Sequence, residues 1–246
     1  MNKNSVLQLL LHHCTLNNKL VALLIDPDKV EADQLPYIVE DAHTAGVDVF
    51  FVGGSLMVGF NFSEIVQTLS ELSDKPVIIF PGSNLHIDPN ADAILLLSLI
   101  SGRNPDLLIG QHVVAAPILR KSGLEIISTG YILVESGRPT TVSYISNSMP
   151  IPADKTEIAI CTAMAGEMLG MHVIYMDAGS GAQQPISAKM IHSVKKNISI
   201  PLIVGGGIDS ARKAELAFEA GADIIVVGNA YERQPDIIHQ VCRVKA

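Results

Sequence analysis

The chain has no tryptophan, only 4% aromatic residues, and three cysteines among 246 residues. Cys14, Cys161 and Cys242 are odd in number and far apart, which argues against a disulfide framework or a zinc knuckle. The expectation is three reduced, mostly buried thiols. No apolar run reaches the roughly 18 residues of a membrane span. The opening stretch MNKNSVLQLLLHHCTLNN has too short an apolar run, and no small-residue cleavage site, to read as a signal peptide. Positive charge is scarce as well. Seventeen Lys and Arg face 25 Asp and Glu, and a net charge of −8 argues against binding a nucleic-acid backbone. A cytoplasmic protein without stable membrane insertion is the reading these absences leave.

Aliphatic bulk is what the chain has instead: 48% of it is hydrophobic. Eight short runs carry most of that bulk: VALLID (21–26), VDVFFVGG (47–54), PVIIFPG (76–82), AILLLS (93–98), EIISTGYILV (125–134), VIYMDAG (173–179), PLIVGGG (201–207) and DIIVVGN (223–229). Each is apolar nearly throughout, the pattern of a strand buried on both faces. Helix signals fill the gaps. Residues 31–45 end at Gly46, and residues 210–220 follow Asp209 or Ser210 as N-cap and stop at Gly221. Between the third and fourth runs, NLHIDPNAD leaves room for a short helix at most. The alternation predicts a single-domain α/β fold over residues 1–246, a (β/α)8 barrel preceded by an N-terminal helical extension. A doubly wound open sheet is the alternative.

In such barrels the chemistry sits at the C-terminal ends of the strands, and phosphate is commonly held by the loops after strands seven and eight. Here those loops are Gly205-Gly206-Gly207 and Gly228-Asn229. Glycines let backbone N–H groups approach an oxyanion with no Cβ in the way. Turn geometry alone is the competing explanation. Strand six ends in YMDAGSGA, where Tyr175, Asp177 and Ser180 are candidates to meet the hydroxyls of a small polyol phosphate. A buried Asp177 needs a hydroxyl, a cation or a backbone donor as partner; a capping role is the alternative. Strands one and two end in LIDPDK and VGGS, and Asp26 with Ser55 could supply oxygen ligands to a hard cation such as Mg²⁺. Asp28 reads equally as a helix cap. Two anionic groups, one on each side of the mouth, suit a transferase joining two phosphorylated substrates.

LIDPDK, VGGS, FPG, YMDAGSGA, VGGGI and VVGNA, in this order, resemble the geranylgeranylglyceryl phosphate synthase family, including its heptaprenyl members, from about residue 20 onward. The resemblance implies a modified barrel that uses Mg²⁺ to transfer a polyprenyl group, geranylgeranyl in the family's name, from its diphosphate to the 3-hydroxyl of sn-glycerol 1-phosphate. It implies Mg²⁺ on Asp26 and Ser55. It implies glycerol 1-phosphate on Tyr175, Met176, Asp177, Ala178, Gly179, Ser180 and Gly181, on Gly206 and Gly207, and on Gly228 and Asn229. Asp26 and Asp177 become the catalytic pair. The family usually reads Y-L-E-A-G-S-G where this chain has Met176 and the shorter Asp177.

Rival readings are a sugar-phosphate isomerase or lyase, a flavin-dependent barrel, and a non-catalytic binder of a phosphometabolite. The isomerases and lyases usually need a Lys or Glu at an inner strand end; the strand ends here offer Asp26, Asp177 and Glu135 and no evident Lys. Residues 137–152 form a long connection that could wall a groove for a prenyl chain. The eight histidines lack metal-ligand spacing, and Arg120-Lys121 and Lys195-Lys196 read as solvated helix faces. An apolar barrel exterior favours a homo-oligomer.

Overall fold

Residues 5–245 are described by a computed structural model. The strands are β1 (Leu20–Ile25), β2 (Val49–Gly53), β3 (Val77–Phe80), β4 (Ala93–Leu99), β5 (Glu125–Leu133), β6 (Val173–Asp177), β7 (Leu202–Gly205) and β8 (Ile224–Val227). All eight predicted runs form strands, and they pair in chain order, every pair parallel, into a closed barrel. The helices are α1 (Val6–Thr15), α2 (Leu35–Ala45), α3 (Phe62–Leu72), α4 (Gln111–Ser122) and α5 (Thr141–Ser146). They continue with α6 (Thr156–Met168), α7 (Ala188–Lys195), α8 (Ala211–Glu219), α9 (Asn229–Arg233) and α10 (Ile237–Arg243). Gly46 and Gly221 close α2 and α8 with positive φ, and the Ser210 hydroxyl caps α8, as the sequence predicts.

Strand period two divides the aliphatic residues into two cores. One set, including Leu20, Ala22, Phe51, Ile78, Tyr131 and Tyr175, fills the barrel interior. The other, including Val21, Leu23, Ile79, Met176 and Val204, packs against the surrounding helices. Both faces of each strand are therefore dry, which is why the runs read as continuous rather than alternating.

The lower end of the barrel, where the strands begin, is closed by carboxylates and by α1. Asp48, Asp92 and Asp223 each precede a strand and accept a backbone N–H at the start of the neighbouring strand, from Val21, Val77 and Leu202, all at 2.8 Å. Lys245 neutralises Asp48 and Lys195 neutralises Asp223, both at 2.7 Å. Lys195 is thus not a solvated helix residue as its sequence context suggests: the buried Asp223 carboxylate draws it in, with the Ile200 carbonyl. Glu125 accepts the N–H groups of Val6 and Leu7, anchoring the positive end of α1. Val6 and Leu10 then plug the interior core from below.

The three cysteines are free; Cys242 is buried, but Cys161 on α6 is exposed, contrary to the sequence reading. No helix among the described residues is long and apolar enough to cross a membrane. No helix separates β3 from β4: residues 81–92 cross as a loop, opening one side of the upper barrel. The connection after β5 is pinned by a bridge between Val134 and Ile151, and carries α5 across the same side.

Leu10 is 1% exposed. We expect Leu10→Ala to lose about 2–4 kcal/mol of stability by urea unfolding, since the cavity it leaves lies between α1 and a rigid barrel floor. A change below about 0.5 kcal/mol would show that α1 is peripheral to the core.

Candidate active site

The upper ends of the strands surround two cavities that meet. The first, about 340 Å³, is the more polar and lies over β1, β2 and β6 to β8. The second, about 520 Å³, is largely aliphatic and runs out past the loop after β3 toward α4 and α5. Gly54, Ser55, Leu56 and Phe80 line both.

Asp177 ends β6 with its side chain directed into the barrel mouth. It is 7% exposed, and its carboxylate accepts the Tyr131 hydroxyl at 2.5 Å and the Gly179 N–H at 2.7 Å. Burial pushes its pKa up, and the two hydrogen bonds pull part of the way back. Burial, reinforced by the Asp177 charge, holds the phenols of Tyr131 and Tyr175 far above the ordinary tyrosine range, so both remain neutral donors. Tyr131 is the contact that sequence reading missed. The register of β5 brings it there by pairing Tyr131 directly with Tyr175.

The triple glycine answers to crowding as well as to ligand access. A Cβ on Gly205 would fall 2.5 Å from the Tyr175 hydroxyl oxygen. One on Gly206, at φ +82°, would fall 2.8 Å from both the Asp177 carboxylate and the Gly179 nitrogen. Gly205 is therefore reserved for packing, whereas Gly206, Gly207, Gly228 and Asn229 line the polar cavity. Ser180 donates to the Asn229 side chain at 3.1 Å, tying the loop after β6 to the loop after β8. Tyr231 anchors α9 from behind through a 3.0 Å hydrogen bond to Asp41, which also pairs with His239.

Tyr175, Asp177, Gly179, Ser180 and Gly181 line the polar cavity as anticipated. Met176 and Ala178 do not. Period-two alternation turns both side chains into the helix-facing core, and the Ala178 N–H is taken by the Gly205 carbonyl. Glu135 is exposed and its N–H pairs with Ile151, so it is no inner strand-end acid.

On the opposite wall, Asp26 is 19% exposed at its side chain. It accepts the Asp28 N–H at 3.1 Å and pairs with Lys29 at 3.0 Å. Asp28 holds the N–H groups of Val58 and Gly59, which orders the loop after β2; it caps no helix, since Glu31 is the N-cap of the short helix that follows. Lys29 is not singled out in the sequence: from the loop beyond β1 it bridges Asp26 and Glu232 and lines the cavity. Burial works against its charge, yet the two carboxylates outweigh it and raise its pKa. Arg233, likewise missed, is the other cation in the lining.

Among the described residues no cluster of three His, Cys, Asp or Glu could hold a metal alone. The donors at Asp26 and Ser55 are hard oxygens, and a single carboxylate suits Mg²⁺ that arrives with phosphate oxygens and water. Asp26, Asp28, Asp177, Asp209 and Glu232 outnumber Lys29 and Arg233 around the cavity, so two phosphorylated ligands would need such a cation. The residues fit the group. The histidines have other work: His86 accepts the Gly82 N–H, and His112 lies 3.2 Å from the Ser98 hydroxyl.

A family model described as the PcrB family matches residues 14–245. The chain is 57% identical to a geranylgeranylglyceryl phosphate synthase of Spirosoma linguale, over 92% of this chain and 91% of that one. It is 40% identical to that of Korarchaeum cryptofilum, over 92% and 93%. The fold superposes on the crystal structure of (S)-3-O-geranylgeranylglyceryl phosphate synthase from Thermoplasma acidophilum, solved with its substrate sn-glycerol-1-phosphate. There the TM-score is 0.93 at 33% identity, covering 98% of both chains. The chain belongs to the PcrB family, that of the geranylgeranylglyceryl phosphate synthases.

Proposed function

We propose that the protein transfers a polyprenyl group, geranylgeranyl by its likeness to the named relatives, from its diphosphate to the 3-hydroxyl of sn-glycerol 1-phosphate. The observation that carries this reading is the meeting of a polar, glycine-rimmed cavity with an aliphatic groove at Ser55 and Phe80. An isomerase or a phosphate binder would need the first cavity and have no use for the second.

The glycerol phosphate places its phosphate against the loops after β7 and β8, with the Gly206-Gly207 and Gly228-Asn229 backbone facing it. Its hydroxyls reach Tyr175 and Asp177. Asp177 is a base strengthened by burial, suited to take the proton from the 3-hydroxyl as the ether bond forms. Holding both substrates in one mouth supplies much of the acceleration by proximity. Mg²⁺, held by Asp26 and Ser55, would neutralise the diphosphate as it departs. Lys29 and Arg233 add positive charge on the same wall. The prenyl chain lies in the groove walled by Leu85, Leu96, Leu107, Leu119, Val142 and Ile145. Val142 and Ile145 belong to α5, which gives the long connection after β5 its role. Val113, Val114 and Ile118 remain exposed on α4 and Ile158 on α6, which supports assembly of copies into a homo-oligomer.

Purified protein with Mg²⁺, a series of polyprenyl diphosphates and labelled sn-glycerol 1-phosphate is expected to yield a solvent-extractable ether lipid, and none from sn-glycerol 3-phosphate. No product at any chain length would refute prenyl transfer. Asp26→Ala is expected to lower turnover by roughly 100-fold or more while the unfolding midpoint stays near wild type; wild-type rates would remove the cation from Asp26.

Asp177→Asn separates function from stability. Because the folded pKa of Asp177 is raised, ionising it costs stability. That cost is absent below the unfolded carboxylate pKa and grows as pH rises through the folded value. The variant should therefore be at least as stable as wild type at neutral pH, lose that advantage near about pH 4, and turn over roughly 100-fold more slowly. An unchanged rate would leave Asp177 a structural cap.

A further inference from the structure

On the prenyl-transfer reading, the reacting carbon has one place to be. The diphosphate belongs in the polar cavity and the chain in the groove, so the allylic carbon joining them lies at the boundary. Only Gly54, Ser55, Leu56 and Phe80 line both cavities, and Phe80 alone among them has a π system. We propose that Phe80 is a catalytic residue: its ring faces the allylic carbon and stabilises the positive charge that develops there.

The ring is held for that task. Phe80 ends β3 and is 8% exposed, so a small part of it reaches the boundary while the rest is packed. It stacks on Tyr175 with ring centroids 5.1 Å apart and planes at 28°, and on Phe51 at 6.3 Å and 28°. Tyr131 closes the third side at 6.1 Å and meets Tyr175 edge-on at 5.5 Å. Gly53 is part of the same arrangement. A Cβ there would lie 1.9 Å from the Phe80 carbonyl oxygen, so β2 must be bare where it passes the end of β3. The Phe80 ring is thus clamped by aromatic neighbours, one of which, Tyr131, donates to the Asp177 carboxylate. Cation stabilisation and proton acceptance share one rigid cluster.

In the step, the bond between the allylic carbon and the diphosphate oxygen breaks and its electron pair leaves with diphosphate. A lone pair of the glycerol 3-hydroxyl forms the new carbon–oxygen bond, and the hydroxyl proton passes to Asp177. Positive charge is spread over the allylic unit between these events. An aromatic face within about 6 Å in a desolvated site attracts such charge through its quadrupole.

The test replaces Phe80 with mono-, di- and trifluorophenylalanine, which withdraw electron density from the ring at nearly constant size. We expect log kcat to fall stepwise with fluorine number, reaching a loss of roughly tenfold to thirtyfold, with KM for sn-glycerol 1-phosphate unchanged. Phe80→Leu, apolar but without a ring, should fall further in kcat, with circular dichroism and the unfolding midpoint reporting a retained fold. An active wild type with a flat fluorine series would overturn the proposal. So would a series whose only effect is on KM for the prenyl diphosphate, since that is the signature of a groove wall. A wild type that forms no ether at all would instead refute prenyl transfer, and this proposal with it.

Discussion

A carboxylate buried inside the top of a closed barrel is the constraint around which the upper half of this molecule is arranged. Asp177 sits where ionisation is costly, and it is tolerated because Tyr131 and the Gly179 N–H both donate to it. Those two donors set much else. Tyr131 must be inward on β5, so the strand is registered to place it opposite Tyr175. The space taken by Tyr175 and Asp177 leaves no room for side chains on Gly205 and Gly206. The loop after β7 is bare as a consequence, and a bare loop can lay its backbone against a phosphate. Burial of the carboxylate and bareness of the neighbouring loop arise from one packing solution.

The two ends of the barrel use acids for opposite purposes. Below, Asp48, Asp223 and Glu125 accept backbone N–H groups, and Lys245 and Lys195 neutralise the two aspartates; these charges are satisfied and stabilise the strand starts. Above, Asp26 and Asp177 retain faces toward a cavity. The absent helix between β3 and β4 leaves that side of the upper barrel without a helical cover, and the groove opens there. In its place residues 81–87 and α5 frame an open side.

Much of this was legible in the sequence. Eight doubly apolar runs in strand-length pieces, most of them followed by helix signals, lead to the barrel, and the short spacing at NLHIDPNAD reveals the missing helix. The glycine-rich strand ends and Asp177 mark the polar cavity, because glycine and a carboxylate are both unusual inside a barrel mouth. What was not legible depends on facing and on distance in space. Met176 and Ala178 lie within the resembling motif, yet strand alternation points them at the helices. Lys29 and Lys195 are in sequence ordinary surface lysines; only folding places them against Glu232 and Asp223. Tyr131 lies 46 residues from Asp177, and no local pattern couples them. The reach of Asp177 is set by that tyrosine and by the Gly179 amide.

The central claim is geometric: phosphate on the bare loops, hydroxyl on Asp177, reacting carbon beside Phe80, chain in the groove. A crystal structure with sn-glycerol 1-phosphate and an unreactive thio analogue of geranylgeranyl diphosphate, both bound, tests it most directly. The account predicts the phosphate against Gly206-Gly207 and Gly228-Asn229, and the 3-hydroxyl within hydrogen-bond distance of Asp177. It predicts the chain leaving past Phe80 between the 81–87 loop and α5. A chain that exits elsewhere, or a 3-hydroxyl turned away from Asp177, would contradict it.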